Sequence, residues 1–125
     1  MTDIIPKLTS LGCFVELVGS RATCNPPPSD TDSDFLVASL NDLDLDGLLV
    51  NEGYYFEHGD RYKLEDAKDF KSYRKDDINL IVSNNEAFIQ RFRAATSVAK
   101  RLNLMNKRDR IALFQAVLYG RECEI

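Results

Sequence analysis

Histidine is almost missing from this chain of 125 residues, where His58 stands alone. No closely spaced cysteine pair adds to it, so a zinc site of the usual Cys/His type has too few ligands, and hard, oxygen-bound metals stay open. Cysteine is scarce as well. Cys13, Cys24 and Cys123 are odd in number and far apart, which argues against a disulfide framework and for a reducing compartment. No run approaches the ~20 apolar residues that span a bilayer. The opening MTDIIPKLTS has no basic region followed by a long apolar segment. A cytoplasmic protein that engages no membrane is expected. Basic residues are in deficit, with 16 Lys and Arg against 20 Asp and Glu and a net charge of -4. That balance excludes a chain coating nucleic acid over its whole surface but leaves room for a local basic patch.

What is present is ordinary for a globular protein: 44% apolar and 29% charged residues. The length suits one domain, residues 1–125, with one core. Ile4, Ile5, Leu8 and Leu11 recur at helical spacing before Gly12, with Pro6 tolerated in the first turn. Phe14 to Val18 is a β-rich run that reads as a buried strand ending at Gly19. Ser20 to Thr31 contains Pro26-Pro27-Pro28 and is expected to be a loop or a broken turn of helix, before a second strand at Ser33 to Ser39. Leu40 to Val50 mixes leucine and aspartate as a short amphipathic helix does. Two shorter β-like runs, Tyr54 to Glu57 and Phe70 to Arg74, surround a charged loop, and a strong strand follows at Ile78 to Ser83. Beyond Asn85, Phe88, Ile89, Phe92, Ala95, Val98, Ala99 and Leu102 fall on one helical face. Ile111, Phe114, Val117 and Leu118 repeat the pattern in a last helix, opened by Asn106 and Asp109 as a capping pair and stopped by Gly120.

The chemistry lies in a combination. One strand ends in Gly19-Ser20, a polar loop follows, and a second strand carries Asp32 and Asp34. Residues i and i+2 of a strand share a face, so the two carboxylates stand side by side while Phe35 and Val37 point the other way. Such a pair suits magnesium, which takes oxygen ligands and commonly shares them with substrate phosphates. Gly19 lets the backbone approach a phosphate closely, Ser20 adds a hydroxyl, and Arg21 adds a fixed positive charge.

Gly19-Ser20 followed by Thr31-Asp32-Ser33-Asp34-Phe35-Leu36-Val37 resembles the signature of the DNA polymerase beta-like nucleotidyltransferase superfamily. The string GSRATCNPPPSDTDSDFLV with the later INLIVS is similar to small nucleotidyltransferase-like proteins of phages and bacteria. The resemblance implies an α+β fold, a small mixed β-sheet flanked by helices, here with two helices at the C-terminal end. It implies transfer of a nucleoside monophosphate from a nucleoside triphosphate to a hydroxyl on a protein, an RNA or a small molecule. It also implies magnesium, with manganese as the alternative, held by Asp32 and Asp34. Gly19, Ser20, Arg21 and Asn79 would hold the nucleotide. Active members carry a third carboxylate on a neighbouring strand, where this chain has Asn79, and an amide cannot accept a proton as a carboxylate does. Asp77 is the substitute if the strand extends to it; equally, Asp76 and Asp77 form the hairpin turn. The alternative to an enzyme is a degenerate nucleotide-binding protein or an interaction protein of the toxin and antitoxin kind.

Several other residues read more simply as structure. Asp30 caps or solvates its loop as readily as it meets a metal, and His58 is an ordinary loop or strand-end histidine. Cys24 has no histidine beside it to make a thiolate nucleophile. Ser72 and Arg74 alternate on one strand face, with an exposed hairpin the plainer reading. Lys107, Arg108 and Arg110 crowd the first turn of the last helix, where positive charge is disfavoured. They invite an anionic partner, but surface decoration is the plainer reading.

Overall fold

The computed structural model describes residues 4–28, 32–39, 44–57 and 70–120. Thr31, Asp30, His58, Cys123 and residues 40–43 of the expected third helix lie outside them. Among the described residues the order is α1 (Ile4–Ser10), β1 (Phe14–Val18), α2 (Ser20–Thr23), β2 (Ser33–Ala38), α3 (Asp46–Asn51), β3 (Tyr55–Glu57), β4 (Lys71–Lys75), β5 (Ile78–Ser83), α4 (Glu86–Leu102) and α5 (Lys107–Tyr119). The strands form one mixed sheet in the order β1-β2-β5-β4-β3. Only β2 and β5 run parallel; the other neighbouring pairs are antiparallel. The architecture is α+β.

Alternation along the central strands builds two cores, one on each face of the sheet. Leu36, Ala38 and Ile81 pack with Val18 against α4 and α5 through Phe88, Phe92 and Phe114. Val37 and Leu80 face the other way, packing with Ile4 and Leu8 of α1, Leu49 of α3 and Tyr73 of β4. Leu36 and Val37 are adjacent yet both fully buried, because helices cover β2 on both faces.

Capping sets where the helices begin and end. The Asn85 side chain accepts from Phe88 N at α4, and Asn106 accepts from Arg108 N at α5. Gly120, at φ 64°, ends α5 in the left-handed region. The third helix starts later than its leucine pattern suggests, at Asp46, whose backbone N–H donates to the Asp44 side chain at 3.0 Å. That aspartate serves the helix start rather than its length.

Two expectations need correction. β1 is a margin strand rather than a buried one: Phe14 and Leu17 are 43% and 40% exposed. Among the described residues β2 is its one neighbouring strand, so a continuous apolar run here does not mean burial on both faces. Arg93 of α4 covers part of the gap, its guanidinium 4.9 Å from the Phe14 ring centre and its Nε donating to Glu16 at 3.1 Å. On α4 itself, Val98 and Leu102 leave the core stripe, at 40% and 60% exposure. At 3.6 residues per turn, Val98 lies more than about 100° around the helix from the stripe's centre. Leu102 is the last helical residue, where the chain turns into the left-handed Asn103 cap.

Candidate functional site

The end of β1 and the start of β2 are brought together by antiparallel pairing that sets Val18 opposite Asp34. Gly19 follows at once with φ 70°, a conformation that favours glycine. A Cβ built on Gly19 would collide with the Asp34 carboxylate. The glycine is therefore required twice, for its backbone angle and for the approach to Asp34.

On the other side of β2, parallel pairing sets Asp34 opposite Asn79, and β4 sets Arg74 opposite the same Asn79. One row across the sheet thus reads Val18, Asp34, Asn79, Arg74. Asp34 shares its face with Leu36 and Ala38, while Phe35 and Val37 belong to the opposite core, as the period of two requires. Asp32 precedes β2 by one residue and accepts a bond of 2.8 Å from Arg74 Nη1. Both side chains are partly shielded, at 14% exposure for Arg74 and 32% for Asp32, so the pair is screened less than a fully exposed one. Arg74, which sequence placed more readily on an exposed hairpin, reaches the site.

Asn79 Oδ1 is buried and has no hydrogen-bond partner among the described residues. A buried acceptor left unpaired costs about 1–3 kcal/mol. A cation or a donor arriving at that oxygen would remove the cost. Asp32, Asp34 and Asn79 carry oxygen donors of the kind magnesium and manganese take, while among the described residues no three His, Cys, Asp or Glu side chains gather as a metal site.

Asp77 occupies the turn between β4 and β5 and is exposed; β5 begins at Ile78. Its backbone carbonyl accepts from Ser33 N at 2.8 Å, which ties the turn to the start of β2. Asp76 precedes it with φ 55°. Of the two readings open in the sequence, the turn is the one observed.

A cleft of about 110 Å³ opens beside this row. Gly19, Ser20 and Thr23 line one side, and Asp34 lines it from β2. Lys107 and Arg110 line it from α5. Arg21 is exposed on α2 and is not one of the lining residues. Sequence reasoning missed the part played by α5. Its signal was the cluster of cations in the first turn, but only the packing of α4 and α5 brings Lys107 and Arg110 to the cleft that Gly19-Ser20 line.

The described thiols stand apart from chemistry. Cys13 and Cys24 are free and buried. Burial pushes the Cys13 thiol up, against a smaller lowering from its hydrogen bond with Ser39. Cys24 Sγ lies between Leu104 O at 3.5 Å and Arg110 Nη1 at 3.2 Å, part of the packing behind the cleft.

No known protein family, no curated protein and no solved structure matches the chain. Among the described residues, no helix is long and apolar enough to cross a membrane.

Proposed function

We propose that this chain is a nucleotidyltransferase-type domain that takes a magnesium-bound nucleoside triphosphate and transfers its nucleoside monophosphate to a hydroxyl. The observation that carries the reading is the contact of Gly19 with Asp34. It puts a glycine at positive φ, a serine and a strand carboxylate at one cleft, in the order the sequence resemblance implies.

Gly19 and Ser20 receive a phosphate at the cleft wall. Asp34 and Asp32 supply carboxylate oxygens to the metal, and Arg74 holds Asp32 in place. Asn79 offers its unpaired amide oxygen on the same row. When bound, magnesium neutralises triphosphate charge and aligns the leaving pyrophosphate. The acceptor hydroxyl must lose a proton, which Asn79 as an amide cannot take and which Asp77, exposed in the turn before β5, is not placed on the row to take.

The test is pyrophosphate release from each nucleoside triphosphate with magnesium, in an extract that supplies acceptors. Release that disappears in Asp34→Asn supports the reading; undiminished release in that variant overturns it.

A second reading, nucleotide binding without transfer, has an observation in its favour. Asn79 stands where a third carboxylate would be, and Arg74 already engages Asp32. Calorimetric binding of magnesium-ATP, with no pyrophosphate formed from any acceptor, would select it.

A further inference from the structure

We infer that the cleft between Gly19-Ser20 and α5 is a polyphosphate subsite whose cationic wall is Lys107 and Arg110, so that this chain recognises the phosphate chain of its nucleotide rather than the base. The inference rests on the nucleotide-binding reading above and names what that site selects.

Size decides what enters. The cleft offers about 110 Å³ and opens to solvent. Pockets that enclose a whole drug-sized molecule run to ~300–1,000 Å³. Phosphate groups fit within it, and a nucleoside attached to them lies outside its lining.

Charge decides which ligand is held. Lys107 and Arg110 line the cleft together with Gly19, Ser20, Thr23 and Asp34. Arg110 is fixed by its own contacts, since Nη1 donates to Leu104 O at 2.8 Å and touches Cys24 Sγ at 3.2 Å. A guanidinium carries five N–H groups, and both of these contacts use one nitrogen. Asp34 repels a bare anion, and a divalent cation held by its carboxylate would offset that repulsion. The remaining lining is apolar, and its Val18, Ile81, Phe92 and Phe114 are already packed in the core. No edge of a base is read within so small a space.

The experiment is calorimetric titration of the full chain with inorganic tripolyphosphate and with ATP, GTP, CTP and UTP, with and without magnesium. The four triphosphates are expected to bind within a few-fold of one another, and tripolyphosphate to compete with them. Losing a charge-assisted phosphate contact costs about 1.5–3 kcal/mol, so Lys107→Glu should weaken both ligands by about tenfold or more. Arg108→Glu, one residue away and outside the lining, should leave both unchanged. Arg110 also braces the turn before α5, so Lys107, which is exposed, carries the test. Asp34→Asn should bind tripolyphosphate without needing magnesium. Equal affinities in Lys107→Glu and the wild type, failure of tripolyphosphate to bind, or strong preference for one base each overturn the subsite. If triphosphates bind and release pyrophosphate while Lys107→Glu changes nothing, the subsite falls and the transferase reading stands. If tripolyphosphate binds through Lys107 but no nucleotide releases pyrophosphate, the subsite stands and transfer falls.

Discussion

At Gly19 two demands meet on one atom that is absent. The backbone there, with φ 70° and ψ -166°, is one that essentially only glycine adopts and costs a residue with a Cβ about 1–3 kcal/mol, and that Cβ would also push the Asp34 carboxylate aside. Gly19→Ala is therefore expected to lower stability by at least about 1–3 kcal/mol, read by denaturant titration. Nucleotide binding should fall much further than stability does, because Asp34 leaves its place. The Asp32 and Arg74 pair is a different case. It is partly exposed, so a double-mutant cycle with Asp32→Asn and Arg74→Gln should give a coupling of about 1 kcal/mol or less, decreasing with added salt. A much larger coupling would mean that the pair sits in a drier site than its exposure indicates.

Among the elements, α4 has the most to lose from its first turn. The Asn85 side chain accepts from Phe88 N at 3.1 Å, and Phe88 is itself 1% exposed beneath the sheet. Asn85→Ala should cost about 1 kcal/mol and Phe88→Ala about 3–5 kcal/mol, both measured by chemical denaturation. The far end of α4 is fastened to the loop after α2. Asn25 N donates to Asn103 Oδ1 at 3.0 Å, and Asn103 Nδ2 returns to Asn25 O at 3.4 Å. This brace connects the start of the loop beyond Gly19-Ser20 to the turn that aims α5. The cleft thus depends on α4 for its shape without α4 supplying any of its charge.

Across the whole molecule, the sheet is anchored to the α3 side by Tyr73, whose hydroxyl donates to Asp46 at 2.8 Å. Burial, then the hydrogen bond and charge of Asp46, raise Tyr73 above its ordinary 10.0; burial, with Asp76 and Glu52, also raises Tyr54. Both groups keep their protons longer in the folded state than in the unfolded one. Their contribution is complete below about pH 10 and is lost as pH rises beyond it, at up to about 1.4 kcal/mol per pH unit for each tyrosine. Tyr73→Phe should cost about 1 kcal/mol at neutral pH and flatten the alkaline fall of stability, followed by thermal melting from pH 8 to 11. An unchanged alkaline slope would show that Tyr73 does not set it.

Local chemistry was enough to place much of this protein. Strand β5, the Asn85 and Gly120 ends of the two long helices and the opposed faces of Asp34 and Phe35 follow from short-range pattern, because periodicity, capping and pleat act within a few residues. The pairing of Gly19-Ser20 with Asp34 was suggested by motif, since glycine's backbone freedom and the i, i+2 spacing are also local. Burial of β1, exposure of Val98 and the destination of Arg74 and Lys107 were decided elsewhere. Each depends on which element lies alongside: β1 has one neighbouring strand, Arg74 meets Asp32 across β5, and Lys107 meets the cleft only through the α4–α5 turn. Such contacts join residues distant in the chain, and no spacing within a single segment encodes them.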